Sequence, residues 1–242
     1  MTGLLLALSL VATADTGGAA YEAQFLRAAP GRLLELIELL QSRNATHRAA
    51  GERVPLLLRH SQGDQWDLLL LTPLRSLEHR FSAERRAAWS AAARRSGFDE
   101  AGFARSLDAQ VAWHEELYVE GPPLATLDSA LAGKGYFHLE IFQALAGKRD
   151  SLVAERAMEN DFLRRIGRPT NLLFTKVAGG PWDCFTLGLY RDLQHYAEPS
   201  RANAAEEEAA ARAAGFESRD HLGPYLRKFL SGHHDTLGGI VR

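Results

Sequence analysis

The chain is almost without cysteine. Cys184 is the only one in 242 residues, so no intramolecular disulfide can form. It lies in an apolar, strand-like run and reads as a small buried hydrophobe rather than a reactive thiol. An excess of charge of one sign is lacking too: the formal net charge is -2, and lysine and arginine are dispersed rather than striped along one element. That leaves no electrostatic case for nucleic acid or an anionic membrane surface as partner. No apolar run reaches the roughly 20 residues that a membrane-spanning helix requires. A glycine-rich phosphate loop, a G-x-S-x-G elbow and an H-x-x-x-H pair are also missing. The sequence therefore offers no motif for P-loop nucleotide chemistry, for α/β-hydrolase catalysis or for a two-histidine metal clip on one helix.

What is there is an ordinary globular composition, 46% hydrophobic, long enough for one large domain or two small ones. The first 20 residues stand apart. An apolar core from Leu4 to Val11 is followed by Ala12-Thr13-Ala14, an A-x-A arrangement of small residues. This pattern predicts a signal peptide or N-terminal extension over residues 1–20, and with it export to the periplasm or beyond. The usual basic residue before the core is absent, and a buried N-terminal element in a cytoplasmic protein is the alternative.

The remainder says nearly the same thing twice. Trp66-Asp67 recurs as Trp182-Asp183, 116 residues on, and the same offset carries Leu77 onto Leu193 and His79 onto His195. It also carries "YEAQFLRAAPGRLLELIEL", from Tyr21, onto "FHLEIFQALAGKRDSLVAE", from Phe137. Self-similarity at a long, constant offset is the mark of a duplicated structural unit. The expected division is a first unit over residues 21–120, a Pro- and Gly-bearing linker over 121–135, and a second unit over 136–242.

Within the first unit, polar and apolar residues alternate from Tyr21 to Ala28, which predicts a strand. Pro30-Gly31 breaks it, and Leu33, Leu34, Ile37 and Leu40 then recur at helical spacing. Pro55 to His60 and Trp66 to Leu71 read as a hairpin across the "SQGD" turn. Helices follow from Arg75, with Gly97 a C-terminal stop, and run to about His114. A short last strand is expected at Leu117 to Val119, and in the second unit at Leu237 to Val241. Strand–helix–strand–strand–helix–strand is the ferredoxin-like arrangement, in which helices cover one face of an antiparallel sheet. Two such units in one chain can cover each other's bare faces. The predicted fold class is therefore α+β, tandem ferredoxin-like units forming a pseudo-dimeric α+β barrel with a space between the sheets.

The opening "YEAQFLRAAPGRLLELIELL" and the later "GDQWDLLLLTPLRSLEHR" resemble the dimeric α+β barrel superfamily. They are most similar to its NIPSNAP-type branch, where a G-x-x-(D/N)-x-hydrophobic strand precedes a short x-L-x-x-R helix. The second unit departs from that pattern, with Tyr196 where the first has Arg80. The resemblance implies a fold that hosts cofactor-free monooxygenases, haem enzymes such as chlorite dismutase, haem-degrading enzymes and proteins of no known chemistry. Fold alone does not choose among them.

The first strand of each unit carries the candidate residues. Glu22, Gln24 and Leu26 alternate with Tyr21, Ala23 and Phe25; His138, Glu140 and Phe142 alternate with Phe137, Leu139 and Ile141. The more apolar side is expected to meet the helices, so the polar side should face the space between the sheets. Glu22, Gln24 and Phe142 are then ligand-binding candidates, and His138 or Glu140 the base of a cofactor-free reaction. A structural polar network between the sheets accounts for the same residues. His114-Glu115-Glu116 and His233-His234-Asp235 are expected at helix ends. There, neighbours point about 100° apart and share a metal poorly. His233 is the haem-ligand candidate under the family resemblance. His79 and His195, retained in both units, read as helix-start packing, and Asp67 and Asp183 as acceptors for turn amides. The favoured function is binding of a small, partly apolar molecule between the sheets, with cofactor-free oxidative chemistry as an extension. A non-catalytic structural protein and a haem-binding protein are the alternatives. No nucleic acid or membrane span is expected as a partner, and a homo-oligomer is compatible with the sequence.

Overall fold

The computed structural model describes residues 17–241. The apolar core and A-x-A site of the expected signal peptide, residues 4–14, lie outside the described residues. The elements run β1 (Ala19–Ala28), α1 (Leu33–Ser42), α2 (Asn44–Ala49), β2 (Leu56–Gln62), β3 (Leu68–Leu74), α3 (Leu77–Phe81), α4 (Ala83–Ser96), α5 (Glu100–Gln110) and β4 (Val111–Gly121). They continue with α6 (Leu124–Leu131), β5 (Tyr136–Ala144), α7 (Arg149–Arg165), β6 (Leu172–Gly179), β7 (Cys184–Tyr190), α8 (Leu193–Ala197), α9 (Ala204–Ala213), α10 (Leu222–Leu226) and β8 (Leu230–Ile240).

The strands close one antiparallel barrel in the order β1-β3-β2-β8-β5-β7-β6-β4, with β4 returning to β1. The order is unchanged when every strand is exchanged for the one four places along. Local contacts recur with it. Asp67 Oδ2 accepts from the Ala28 amide at 2.8 Å, and Asp183 Oδ2 from the Ala144 amide at 2.9 Å. These carboxylates tie the third strand of each half to the end of the first, rather than bonding within their own turns as the sequence suggested. Gly63 and Gly179 hold positive φ values of 128° and 88° in the two hairpins. A Cβ at either would lie 2.1 or 2.3 Å from a backbone carbonyl oxygen, that of Asp235 or of Glu116. Each hairpin thus seats directly on the last strand of the other half, which only glycine permits.

The barrel interior is filled. Tyr21, Ala23 and Phe25 of β1 pack with Phe137, Leu139 and Ile141 of β5, and with Phe174, Phe185 and Leu187 opposite, all nearly inaccessible. Rings from the two halves meet there: Tyr21 lies edge-on to Phe174 at 5.3 Å, and Phe174 stacks on Phe185 at 4.6 Å. Helices cover the outer face. Leu36, Ile37 and Leu40 of α1 bury Leu26, Leu68 and Leu70; Leu152 of α7 and Leu226 of α10 bury Phe142 and Cys184. Cys184 is buried as expected, and burial pushes its thiol up to about 12.

Three expectations change. First, the apolar side of β1 and β5 faces inward and the polar side faces the helices. An eight-stranded barrel is narrow enough for side chains to fill, and here Tyr21, Phe25, Phe137, Phe174 and Phe185 fill it, so the interior takes the apolar set. The sheet–helix layer is open at its edges and can hydrate charge. Second, β4 and β8 begin earlier than the sequence implied. His114-Glu115-Glu116 and His233-His234-Asp235 lie on these strands, where alternate residues share a face. Third, residues 121–135 hold the helix α6, whose Leu127 is buried against the core. Gly97 does terminate α4, in the left-handed conformation with φ 67°.

Candidate functional site

The outer face of each half carries a polar cluster beneath the helices, and the two clusters differ. In the first half Glu22 is buried and clamped by Arg80 of α3: Nε and Nη2 each donate to one carboxylate oxygen at 2.9 Å. Gln24 Nε2 donates to Glu116 Oε2 at 2.9 Å and reaches Glu22 Oε1 at 3.3 Å, while Tyr118 donates to Glu116. Burial opposes charge on Glu116, but the bonds from Tyr118 and Gln24 outweigh it and hold the carboxyl below its ordinary range. Glu52 is likewise depressed: burial is overcome by hydrogen bonds from His47 and Arg85. A cavity of about 410 Å³ opens beside this network, lined by Arg53, Arg75, His79, Arg80 and Arg85 among others. Three of its guanidinium groups already hold carboxylates: Arg53 on Asp128, Arg80 on Glu22 and Arg85 on Glu52.

In the second half His138 replaces Glu22, Glu140 replaces Gln24 and Tyr196 replaces Arg80, at the same offset of 116. Strand register sets the geometry. Glu140 pairs across to Asp235 and Phe142 to His233, so 138 and 140 on β5 and 233 and 235 on β8 project toward α7 as one patch. His138 Nε2 lies 3.1 Å from Asp235 Oδ1. His233 Nε2 lies 3.6 Å from that same oxygen and 3.7 Å from Glu140 Oε1. Thr186 of β7 donates to Glu140 Oε2 at 2.9 Å, which turns Oε1 toward the imidazoles. The His138 and Glu140 side chains are 16% and 12% exposed while Asp235 is 56% exposed, so the patch opens to solvent along β8.

From α7 comes Arg156, 3% exposed. It forms a two-point pair with Glu155, at 2.7 and 2.9 Å, meets Glu159 at 2.5 Å and lies 3.7 Å from Glu140. Its guanidinium sits over the Phe142 ring at 4.7 Å, and the His233 ring stacks on Phe142 at 4.8 Å. Three carboxylates (Glu140, Glu155, Glu159) thus surround one guanidinium, and Asp235 adds a fourth at the open edge through the imidazoles. Burial, only partly offset by Arg156, pushes Glu155 up to about 7 and also raises Glu159. The hydrogen bond from His138 holds Asp235 down. Burial of Glu140 is outweighed by His233, Arg156 and His138, and its carboxyl stays below the ordinary range. Beside the patch stand Tyr136, Tyr190 and Tyr196. The Tyr196 ring is 5.2 Å from His138 and 5.1 Å from Tyr190.

The structure therefore brings His138, Glu140 and His233 together, with Asp235 as the fourth member. Glu22 and Gln24 lie in the other half within a satisfied network. Phe142 is buried, with the His233 ring stacked on it and the Arg156 guanidinium over it. His79 and His195 start α3 and α8, their amides capped by Ser76 and Asp192. Sequence reasoning missed Arg156, Glu155 and Glu159. Their signal was available, since positions 152, 155, 156, 159 and 162 form one stripe on a helix. An apolar stripe interrupted by three charges marks a buried polar patch.

No protein-family model matches the chain, and no curated protein matches it. Solved structures do. An anthrone oxidase-like protein aligns over 94% of this chain and 93% of its own, with a TM-score of 0.58 and 12% identity. A provisionally assigned monooxygenase of Fusobacterium nucleatum aligns over 93% and 94%, with a TM-score of 0.52 and 8% identity. A haem-binding protein of Thermus thermophilus aligns over 93% and 92% at 12% identity, with a TM-score of 0.44 that is too low to argue from. At these identities the likeness is one of fold: the eight-stranded α+β barrel that the dimeric α+β barrel resemblance implied.

Proposed function

We propose that this protein binds a small, partly apolar molecule on the outer face of the second half. The apolar part would lie against Tyr136, Tyr190 and Tyr196, and the polar end would meet His138 and Glu140. The observation that carries this reading is the convergence of two imidazoles and two carboxylates beside three tyrosine rings, solvent-exposed at Asp235, where Tyr196 replaces a clamping arginine. An imidazole held by a carboxylate, as His138 is by Asp235, is the arrangement of a general base, and proton removal from the bound molecule is the reaction class we assign. The site lies beneath the helices; the space between the sheets is already filled.

We infer further that the halves are tandem copies of one ferredoxin-like unit, over residues 21–120 and 136–242. The self-mapping strand order and the paired Asp67 and Asp183 bonds support this. The haem alternative finds less support, because His233 Nε2 faces two carboxylates rather than an apolar slot.

The test is a fluorescence titration with anthrone and other hydroxylated tricyclic aromatics, a probe class suggested by the fold neighbour. His138→Ala should weaken binding at least about tenfold while changing stability by no more than about 1 kcal/mol. Arg75→Ser, in the first-half cavity, should leave binding unchanged. Loss on Arg75→Ser with retention on His138→Ala would move the site to the first half and end this reading.

A further inference from the structure

We infer that His138, Glu140, His233 and Asp235 form a binding site for one divalent transition-metal ion. The inference rests on the reading above for where the organic molecule lies. It changes what His138 and Glu140 do there, from free bases to ligands.

The geometry comes first. His138 Nε2, a Glu140 carboxylate oxygen and an Asp235 carboxylate oxygen all lie within 4.8 Å of one another. His233 Nε2 adds a fourth donor, 3.6 and 3.7 Å from the two carboxylates. A tetrahedral ion with metal–ligand bonds of about 2.1 Å separates neighbouring donors by about 3.4 Å. Three of the six donor separations, 3.1, 3.6 and 3.7 Å, lie near that edge, and those from Glu140 to His138 and to Asp235 are within 4.8 Å, so the side chains close in slightly on a bound ion. Two imidazoles with two carboxylates suit zinc, iron or manganese in the divalent state rather than calcium or magnesium, which prefer oxygen alone.

The supports are those of a built site. Thr186 holds the outer oxygen of Glu140 and turns the inner one toward His233, with the Arg156 guanidinium 3.7 Å away on its other side. Phe142 fixes the plane of the His233 ring. Gly63 lets the first-half hairpin rest on the Asp235 backbone, fixing β8 from outside. Contacts of this kind behind the ligands orient them toward a metal. Charge points the same way. Glu140, Glu155 and Glu159 share one guanidinium and Asp235 adds a further carboxylate at the edge, and a divalent cation would offset the excess. In the first half the equivalent places hold Glu22 and Gln24 closed by Arg80, whose guanidinium fills the role a cation would take. A hydroxyl of the organic molecule that joined the four protein donors as a fifth ligand would be acidified by the metal, so proton loss would need no free base.

The experiment uses the full chain without a histidine tag, freed of metal by a chelator, and titrated with Co²⁺. One ion per chain should bind, with visible ligand-field absorption that Zn²⁺ abolishes by displacement. The thermal midpoint should rise with metal, because only the folded chain assembles the four donors. His138→Ala and Asp235→Asn should each weaken binding about 100-fold or more, and His114→Ala, the β4 counterpart of His233, should leave it unchanged. Circular dichroism of the metal-free variants checks that they fold. No ligand-field spectrum and no stabilisation at millimolar Co²⁺, or binding that survives the double variant His138→Ala/Asp235→Asn, would overturn the inference. Titration with the aromatic probe separates the two readings. Probe binding indifferent to metal, with no metal bound, sinks this inference alone; metal binding without probe binding sustains it and sinks the organic-ligand reading.

Discussion

The outer faces of the two halves solve one problem in opposite ways. Each buries carboxylates between a sheet and its helices. The first half neutralises Glu22 with Arg80 from α3 and ties Glu116 into bonds from Gln24 and Tyr118, so both carboxylates have fixed partners. The second half puts Tyr196 where the arginine stands and gathers three carboxylates about Arg156, with Asp235 and two imidazoles at the open edge. A closed network stabilises one geometry, whereas an over-acidic, partly open one invites a proton or a cation. The same fold thus yields a closed face and a partly open, acidic face, and the difference turns on positions 22/138, 24/140 and 80/196 on strand and short helix, with 39/155, 40/156 and 43/159 along the helical segment between them.

The most severe way to break the comparison is to remove the arginines. Arg156→Met leaves Glu155 and its neighbours buried without a counter-charge and should cost about 3–5 kcal/mol, since stranding one partner of a buried pair is expensive. Arg80→Met should cost less, about 2–3 kcal/mol, because Arg80 is 25% exposed and water can reach the stranded Glu22. Urea unfolding curves measure both, and equal losses would contradict the asymmetry.

A second contrast is in pH dependence. Glu155, raised to about 7, binds a proton more tightly folded than unfolded. Its contribution is complete below the unfolded value of 4.5 and is lost as pH rises through about 7, so stability from this group falls over that window. The depressed Glu52 and Glu116 of the first half act oppositely: their contribution is present above 4.5 and lost as pH falls further. Thermal midpoints from pH 5 to 8 should decline less steeply in Glu155→Gln than in the parent chain. A parallel profile would mean that Glu155 is ionised throughout.

The smallest effect sharpens the likeness rather than the difference. Asp67→Ala and Asp183→Ala each delete a carboxylate acceptor for one strand-end amide and should each cost about 1 kcal/mol. Near-equal losses are expected from paired positions in paired halves; a gap of more than about 1 kcal/mol would show that the hairpins are not equivalent.

How much of this was legible in the sequence can be traced by residue. The alternation over Tyr21–Ala28 and Phe137–Ala144 located both first strands and the polar residues that share one side of each. It said nothing of which side faced the barrel, because alternation is symmetric under a flip of the strand. The early starts of β4 at Val111 and β8 at Leu230 were hidden because His114-Glu115-Glu116 and His233-His234-Asp235 have no strong strand propensity. Pairing with β1 and β5 draws them into the barrel. Asp235 and Tyr196 were visible as residues but not as members of a site, since each comes from a different element than His138.

Local chemistry therefore determined the elements, the breaks at Pro30-Gly31 and Gly97, the constant offset of 116 and the exchange of Arg80 for Tyr196. These depend on neighbours within a few residues or on comparison of the chain with itself. Only closure of the barrel decided that Tyr21, Phe25, Phe137 and Ile141 turn inward and that Glu22, His138 and Glu140 lie beneath helices. An eight-stranded barrel is narrow enough for side chains to fill, and that volume constraint acts on all the strands at once. The meeting of His138, Glu140, His233 and Asp235 follows from the β5–β8 register. His138 and Asp235 stand 97 positions apart, and no local pattern encodes a contact at that separation.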